Sequence, residues 1–152
     1  MAAPTINPYL RTKVLTASPQ ELRLMLYDGA LKFCRQAKPA LEEKRYEDSY
    51  NNLVRVQNIV LELSNSLNHK AAPELCDRLA GLYTYLYRRL VEANVNRDVA
   101  IVDEVIELIE YERETWQMLM ERQAQEAGHA PRDQAPAADQ PPTDMPRFSQ
   151  SA

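Results

Sequence analysis

The sequence holds only three glycines in 152 residues, too few for the tight turns on which hairpins and sheet edges depend. The chain therefore reads as helical. Two cysteines, Cys34 and Cys76, form no framework of close spacings for disulfides or zinc; both fall inside helical periods and read as reduced thiols packed like small apolar groups. Two histidines, His69 and His129, are equally sparse. Glu126 and His129 match one of the two Glu-x-x-His pairs of a di-metal helical bundle, but no second pair exists, and this one sits beside Gly128 and Pro131. No serine occupies a nucleophile elbow and no glycine-rich loop cradles a phosphate. Neither metal, cofactor nor enzymatic activity is expected.

Positive charge is short as well. Eighteen Lys and Arg stand against 22 Asp and Glu, a net charge of −4, and Arg88–Arg89 is the only arginine cluster worth naming. A protein that neutralises phosphates needs a basic face, so no nucleic-acid partner is expected. No run approaches the ~18 apolar residues of a membrane span, and MAAPTINPYLRTK lacks the apolar centre of a signal peptide. No membrane insertion and a cytoplasmic location follow as expectations.

What is present is strong helical patterning in one domain. Ser18, Pro19 and Glu21 form a capping box with proline at the first helical position. Behind it, SPQELRLMLYDGALKFCRQA carries two apolar stripes on a wheel of about 100° per residue. Leu22, Met25, Leu26, Gly29 and Phe33 read as the core face. Leu24, Tyr27, Leu31 and Cys34 form a second stripe on roughly the opposite side and read as a surface for a partner segment. Lys38 and Pro39 suggest a bend, and the helix is expected to stop near residue 42.

A second helix, about residues 46–67, has one apolar stripe of Leu53, Val56, Val60, Leu63 and Leu67, with Ser49 one step before it. Its opposite face (Asn51, Arg55, Asn58, Glu62, Asn65) is polar. A third, about 73–94, is expected to bury Leu75, Leu79, Leu82, Leu86, Leu90 and Ala93, with Tyr85 outward beside Arg78 and Arg89. A fourth, about 98–125, turns Ile101, Val102, Val105, Leu108, Ile109, Trp116, Leu119 and Met120 inward and sets Asp103, Glu107, Glu110 and Glu114 on its back. Glu112 points inward by the same count, so it needs a partner or will tend to hold its proton.

The two ends differ from this middle. Residues 1–17 carry Pro4 and Pro8 and read as an arm rather than a core element, yet Ile6, Tyr9, Leu10, Val14 and Leu15 give it apolar character that must dock on the body or meet a partner. Residues 18–125 form the bundle. Residues 126–152, with five prolines between Pro131 and Pro146, read as a disordered tail.

Several of these stretches together resemble one family, the bacterial flagellin-specific export chaperones, FliS. The resemblance covers residues 6 to about 122. It rests on Ile6 and Tyr9, on TASPQEL at Thr16–Leu22, LYDGAL at Leu26–Leu31, LAGLYTYLYRRLVEAN at Leu79–Asn94 and ETW at Glu114–Trp116, all in family order. It implies an all-α fold, an antiparallel four-helix bundle with an N-terminal arm; the Pro-rich C-terminal tail, read as disordered from its composition, departs from the usual family length. It further implies that the bundle holds the C-terminal segment of flagellin, prevents its premature polymerisation and delivers it to the flagellar type III export gate, with the arm lying over part of the client surface until displaced. Ile6 and Tyr9 match arm positions that the family uses for its client. Leu10 and the stripe Leu24, Tyr27, Leu31 and Cys34 join them as expected flagellin-binding residues on the wheel reading. A flagellar regulatory protein is a further partner that related members bind. The rival reading is a helical adaptor for a different, regulatory client.

Overall fold

The computed structural model describes residues 7–129. Five helices and no strand occur among them: α1 (Pro8–Thr16), α2 (Pro19–Glu42), α3 (Tyr46–Asn65), α4 (Pro73–Asn96) and α5 (Val99–His129). The chain divides into two compact units, Met1–Thr115 and Trp116–Ala152.

Helix starts follow the local chemistry closely. The Ser18 side chain accepts from the Glu21 amide at 3.1 Å while the Glu21 carboxylate accepts from the Ser18 amide at 3.0 Å, the reciprocal box expected, with Pro19 where its missing N–H costs nothing. The Ser18 hydrogen bonds hold the Glu21 carboxyl below its ordinary range. The arm departs from expectation: Asn7 caps Tyr9 at 2.8 Å, Pro8 takes the first helical position, and nine residues become α1. Proline is unfavourable inside a helix but neutral at its start, so Pro8 opens a helix within the stretch expected to be an arm. Pro39 does not end α2, which continues through it to Glu42. The connections at 43–45 and 97–98 each turn through a left-handed residue, Lys44 (φ 62°) and Arg97 (φ 51°), a role usually given to the glycine this sequence lacks. Arg97 lies 3.8 Å over the Tyr46 ring, a cation–π contact that ties the two connections together.

Within residues 1–115 the helices run antiparallel. Gly29 and Phe33 of α2 meet Ile59 and Arg55 of α3, so ascending numbers face descending ones. Against α5, Asp28 pairs with Arg113, Arg35 with Glu110, and Lys38 with Asp103 at 2.9 Å, again in opposite order. The result is the antiparallel four-helix bundle expected, built from α2, α3, α4 and α5. Two of the four carboxylates on the back of α5, Asp103 and Glu110, thus bridge to α2. These pairs are largely exposed and add little to stability.

The core corrects the wheel of α2. Tyr27, Leu31 and Cys34, at 2%, 3% and 0% exposure, lie in it together with Ala30, Ala37 and Leu41. The stripe read as core (Leu22, Met25, Leu26, Gly29, Phe33) is half-buried, and its Gly29–Phe33 part faces α3. The small alanines decide this. They share a side with Leu31 and Cys34 and allow close helix packing, whereas counting large side chains favoured the other side. In α3 the expected stripe is buried, Ser49, Leu53, Val56, Val60 and Leu63, with Leu67 half-buried beyond the helix end. In α4 the buried line is Cys76, Tyr83, Leu86, Leu90 and Ala93. Leu79 and Leu82 are half-buried and Leu75 is exposed, because the first turns present Cys76 and Tyr83 to the core instead.

In the second unit the described residues are the C-terminal part of α5, 116–129. The helix continues past residue 125 to His129. Trp116 and Met120 are half-buried and Leu119 is exposed, so none of the three is a core residue as expected. The tail expected from 130 onward lies outside the described residues.

Candidate functional site

Two features distinguish the bundle: a polar cluster inside it, and apolar surface left outside it. The cluster forms where α2 begins. The Tyr27 and Tyr83 hydroxyls lie 2.6 Å apart, and the Arg23 guanidinium donates to Tyr83 Oη at 2.9 Å and to Ser66 Oγ at 2.8 Å. Ser66 Oγ passes its own hydrogen to the Leu63 carbonyl at 2.9 Å. One guanidinium therefore joins α2 to the end of α3 and to α4. Burial pushes both tyrosine hydroxyls above their ordinary range, and for Tyr27 the neighbouring Tyr83 adds to it, so both stay neutral. Glu112 is half-buried on α5, and its desolvation raises its carboxyl, opposed by Arg78; the inward position read from the wheel is confirmed. No buried side-chain nitrogen or oxygen among the described residues lacks a hydrogen-bond partner. A fully satisfied network of this kind fixes helix register.

The thiols are equally quiet. Cys34 and Cys76 are buried and unpaired, and burial pushes the Cys34 thiol up to about 12, far from the thiolate range that reactivity needs. Among the described residues no three His, Cys, Asp or Glu side chains gather as a metal site, and no helix is long and apolar enough to cross a membrane.

The outer apolar surface has two parts. The first is α1, which buries no residue: Tyr9 is 73% and Leu15 74% exposed, with Leu10 and Val14 exposed beside them. The second follows the seam of α3 with α4. Tyr85 and Arg89 reach α5 by donating to Glu104 at 2.6 and 2.7 Å, so the opposite side of α4, with Ala80, Tyr87 and Val91, borders α3. On α3 the matching line is Tyr50, Val54, Gln57 and Leu61 at helical spacings of four, three and four. Tyr50, Leu61 and Val91 are exposed, Val54 and Tyr87 half-buried. These two lines make a shallow apolar strip that no part of the described chain covers. Such a strip suits an amphipathic helix laid along the seam.

The residues expected to meet a partner are thus divided. Tyr9 and Leu10 are exposed on α1, and Leu24 is half-buried. Tyr27, Leu31 and Cys34 are interior, with no surface to offer while the bundle is closed. Ile6 lies outside the described residues. The α3–α4 strip was missed because α3 was read as apolar on one face only; the signal was available in the spacing of Tyr50, Val54 and Leu61.

Comparison with known proteins agrees with this architecture. The family model described as flagellar protein FliS matches residues 1–123. The flagellar secretion chaperone FliS of Bacillus subtilis (strain 168) is 40% identical over 118 residues, spanning 76% of this chain and 87% of the relative. That of Escherichia coli (strain K12) is 32% identical over 108 residues, 70% of this chain and 79% of the relative. A solved structure described as a flagellar chaperone from bacteria superposes with a TM-score of 0.66 at 20% identity, covering 75% of this chain and 95% of its own, which shows the same fold. With a family model spanning most of its length and relatives at this identity, the chain belongs to the FliS family of flagellar proteins.

Proposed function

We infer that the protein is a non-enzymatic chaperone that binds the C-terminal segment of flagellin in the cytoplasm, keeps it from polymerising early and hands it to the flagellar type III export apparatus. The observation that carries this reading is the apolar surface left uncovered by a finished bundle, on α1 and along the α3–α4 seam. Among the described residues every buried side-chain nitrogen and oxygen has a hydrogen-bond partner, and the uncovered apolar surface is what a client would meet. Relatives named flagellar secretion chaperones supply the client class.

The client contacts proposed are Tyr9 and Leu10 of the arm, Ile6 before them, and Leu24, together with Tyr50, Val54, Leu61, Tyr87 and Val91 on the seam. Tyr27, Leu31 and Cys34 act indirectly, by holding α2 in place. A flagellin terminus folding as an amphipathic helix on this strip buries apolar side chains at ~1.5–3 kcal/mol each, less the cost of ordering the client. A test is co-expression with flagellin followed by a sizing column. Wild-type protein is expected to elute as a one-to-one complex, and Leu61→Asp with Val91→Asp to elute alone while keeping its helix content. Co-elution of that double variant with flagellin would exclude the seam as the binding surface.

A further inference from the structure

The strip along α3 and α4 has two unlike ends. On α4 the line Thr84, Arg88, Val91 and Val95, at spacings of four, three and four, borders α3 and leads to the left-handed C-cap Arg97, while Asp77 stands two turns before Thr84 on the same line. Val95 is 75% exposed, so the apolar strip continues past Val91 to the connection between α4 and α5. There the Arg97 guanidinium lies 3.8 Å over the half-buried Tyr46 ring of α3. Arg97 and Arg88 at this end and Asp77 at the other are exposed, and none joins an ion pair among the described residues.

The carboxylates next to Arg97 are largely occupied elsewhere. Asp98 accepts from the Ala100 amide at 2.9 Å, and Arg45 holds Glu43 and Asp48 at 2.9 and 2.8 Å; the exposed Lys44 and Glu47 are one of each sign. The strip is thus positive where α4 ends and negative where it begins. A guanidinium laid on a ring is oriented by its face and keeps its N–H edge for a carboxylate, which it binds through two parallel hydrogen bonds. A helix presents negative charge at its C-terminal end, through its last carbonyls and, where the chain stops, a carboxylate. From Asp77 to Arg97 the rise is about 30 Å, room for a client helix of about twenty residues. Resting on the reading that a flagellin C-terminal segment occupies the strip, we propose that Arg97, held by Tyr46, binds the terminal carboxylate of the client, whose last helix therefore lies parallel to α4 and antiparallel to α3.

Isothermal titration of the full chain with two peptides, each roughly the last forty residues of flagellin from the same cell, tests it: one ends in the free acid, the other in an amide. At about 50 mM salt the acid should bind about five- to tenfold more tightly, and the difference should shrink as salt rises. Arg97→Gly suits the backbone at φ 51°, so the melting temperature should hold. It should lower the acid to the affinity of the amide and leave the amide within about twofold of its wild-type value. Asp77→Asn, at the opposite end, should keep the difference between the peptides. Equal binding of acid and amide by the wild-type protein overturns the subsite and leaves the client reading standing. So does an equal loss for both peptides in Arg97→Gly, which would reduce Arg97 to a support of the α4–α5 connection, or a difference that vanishes in Asp77→Asn instead, which would put the carboxylate at the other end. If neither peptide binds, the client reading falls and the subsite with it.

Discussion

α1 and α2 begin alike and end differently. Each opens with a polar cap and a proline at its first position, Asn7–Pro8 and Ser18–Pro19, and two residues separate them. Yet α2 buries seven residues and α1 none. Caps decide where a helix starts; a continuous apolar face with alanines among it decides whether the helix becomes part of a core. α1 has apolar residues but no such face, since Tyr9 and Leu15 are exposed along with Leu10 and Val14. The difference separates what holds the molecule together from what is left exposed on it.

The sharpest way to break that comparison is Leu31→Ala in α2. Loss of a leucine that is 3% exposed is expected to cost about 2–5 kcal/mol in chemical denaturation, whereas Leu15→Ala in α1 should stay within about 0.5 kcal/mol of wild type. A small effect at Leu31 would mean that α2 is not the spine of the core. Tyr27→Phe removes one hydroxyl of the buried pair but leaves Tyr83 its bond from Arg23; a loss of roughly 1–1.5 kcal/mol follows. The caps sharpen the comparison further. Ser18→Ala should cost about 1 kcal/mol of global stability, while Asn7→Ala should leave global unfolding unchanged, because no residue of α1 is itself buried.

The smallest effect concerns the carboxyl that α5 turns toward the α2–α4 tyrosines. Burial raises Glu112, so the folded state favours its protonated form. Its charge therefore costs stability above the folded value, and that cost disappears as pH falls through the carboxylate range. Glu112→Gln should raise the melting temperature slightly at pH 7, with a gain of under ~1 kcal/mol, and the gain should shrink to nothing near pH 4. A gain independent of pH would show that Glu112 is not the group responsible.

The start of α2 was legible from its capping box, and the α3 core stripe and the end of α2 near residue 42 from apolar spacing, whereas the start of α1 was not. Sequence reading failed where two apolar sides compete. On α2 the large side chains drew attention away from Ala30 and Ala37, and small residues mark close packing only once a neighbour is known. On α4 leucine outweighed Tyr83, because a buried tyrosine is acceptable only when another element satisfies its hydroxyl, and Tyr27 and Arg23 lie some sixty residues away in sequence. Of the residues expected to meet a client, Tyr9 and Leu10 are exposed on the arm and Leu24 is half-buried on α2, whereas Tyr27, Leu31 and Cys34 are core.

On the proposed function the bundle is complete without its arm, and the arm and seam serve a client. Isothermal titration of the full chain with a peptide of roughly the last forty residues of flagellin from the same cell tests it most directly, with Tyr9→Ala run in parallel. The expected result is one-to-one binding with a negative heat-capacity change, weakened in Tyr9→Ala while the circular dichroism of the two proteins is the same. Absence of heat and of complex with the wild-type protein would contradict the client assignment, and unfolding of Tyr9→Ala would contradict the separation of arm from core.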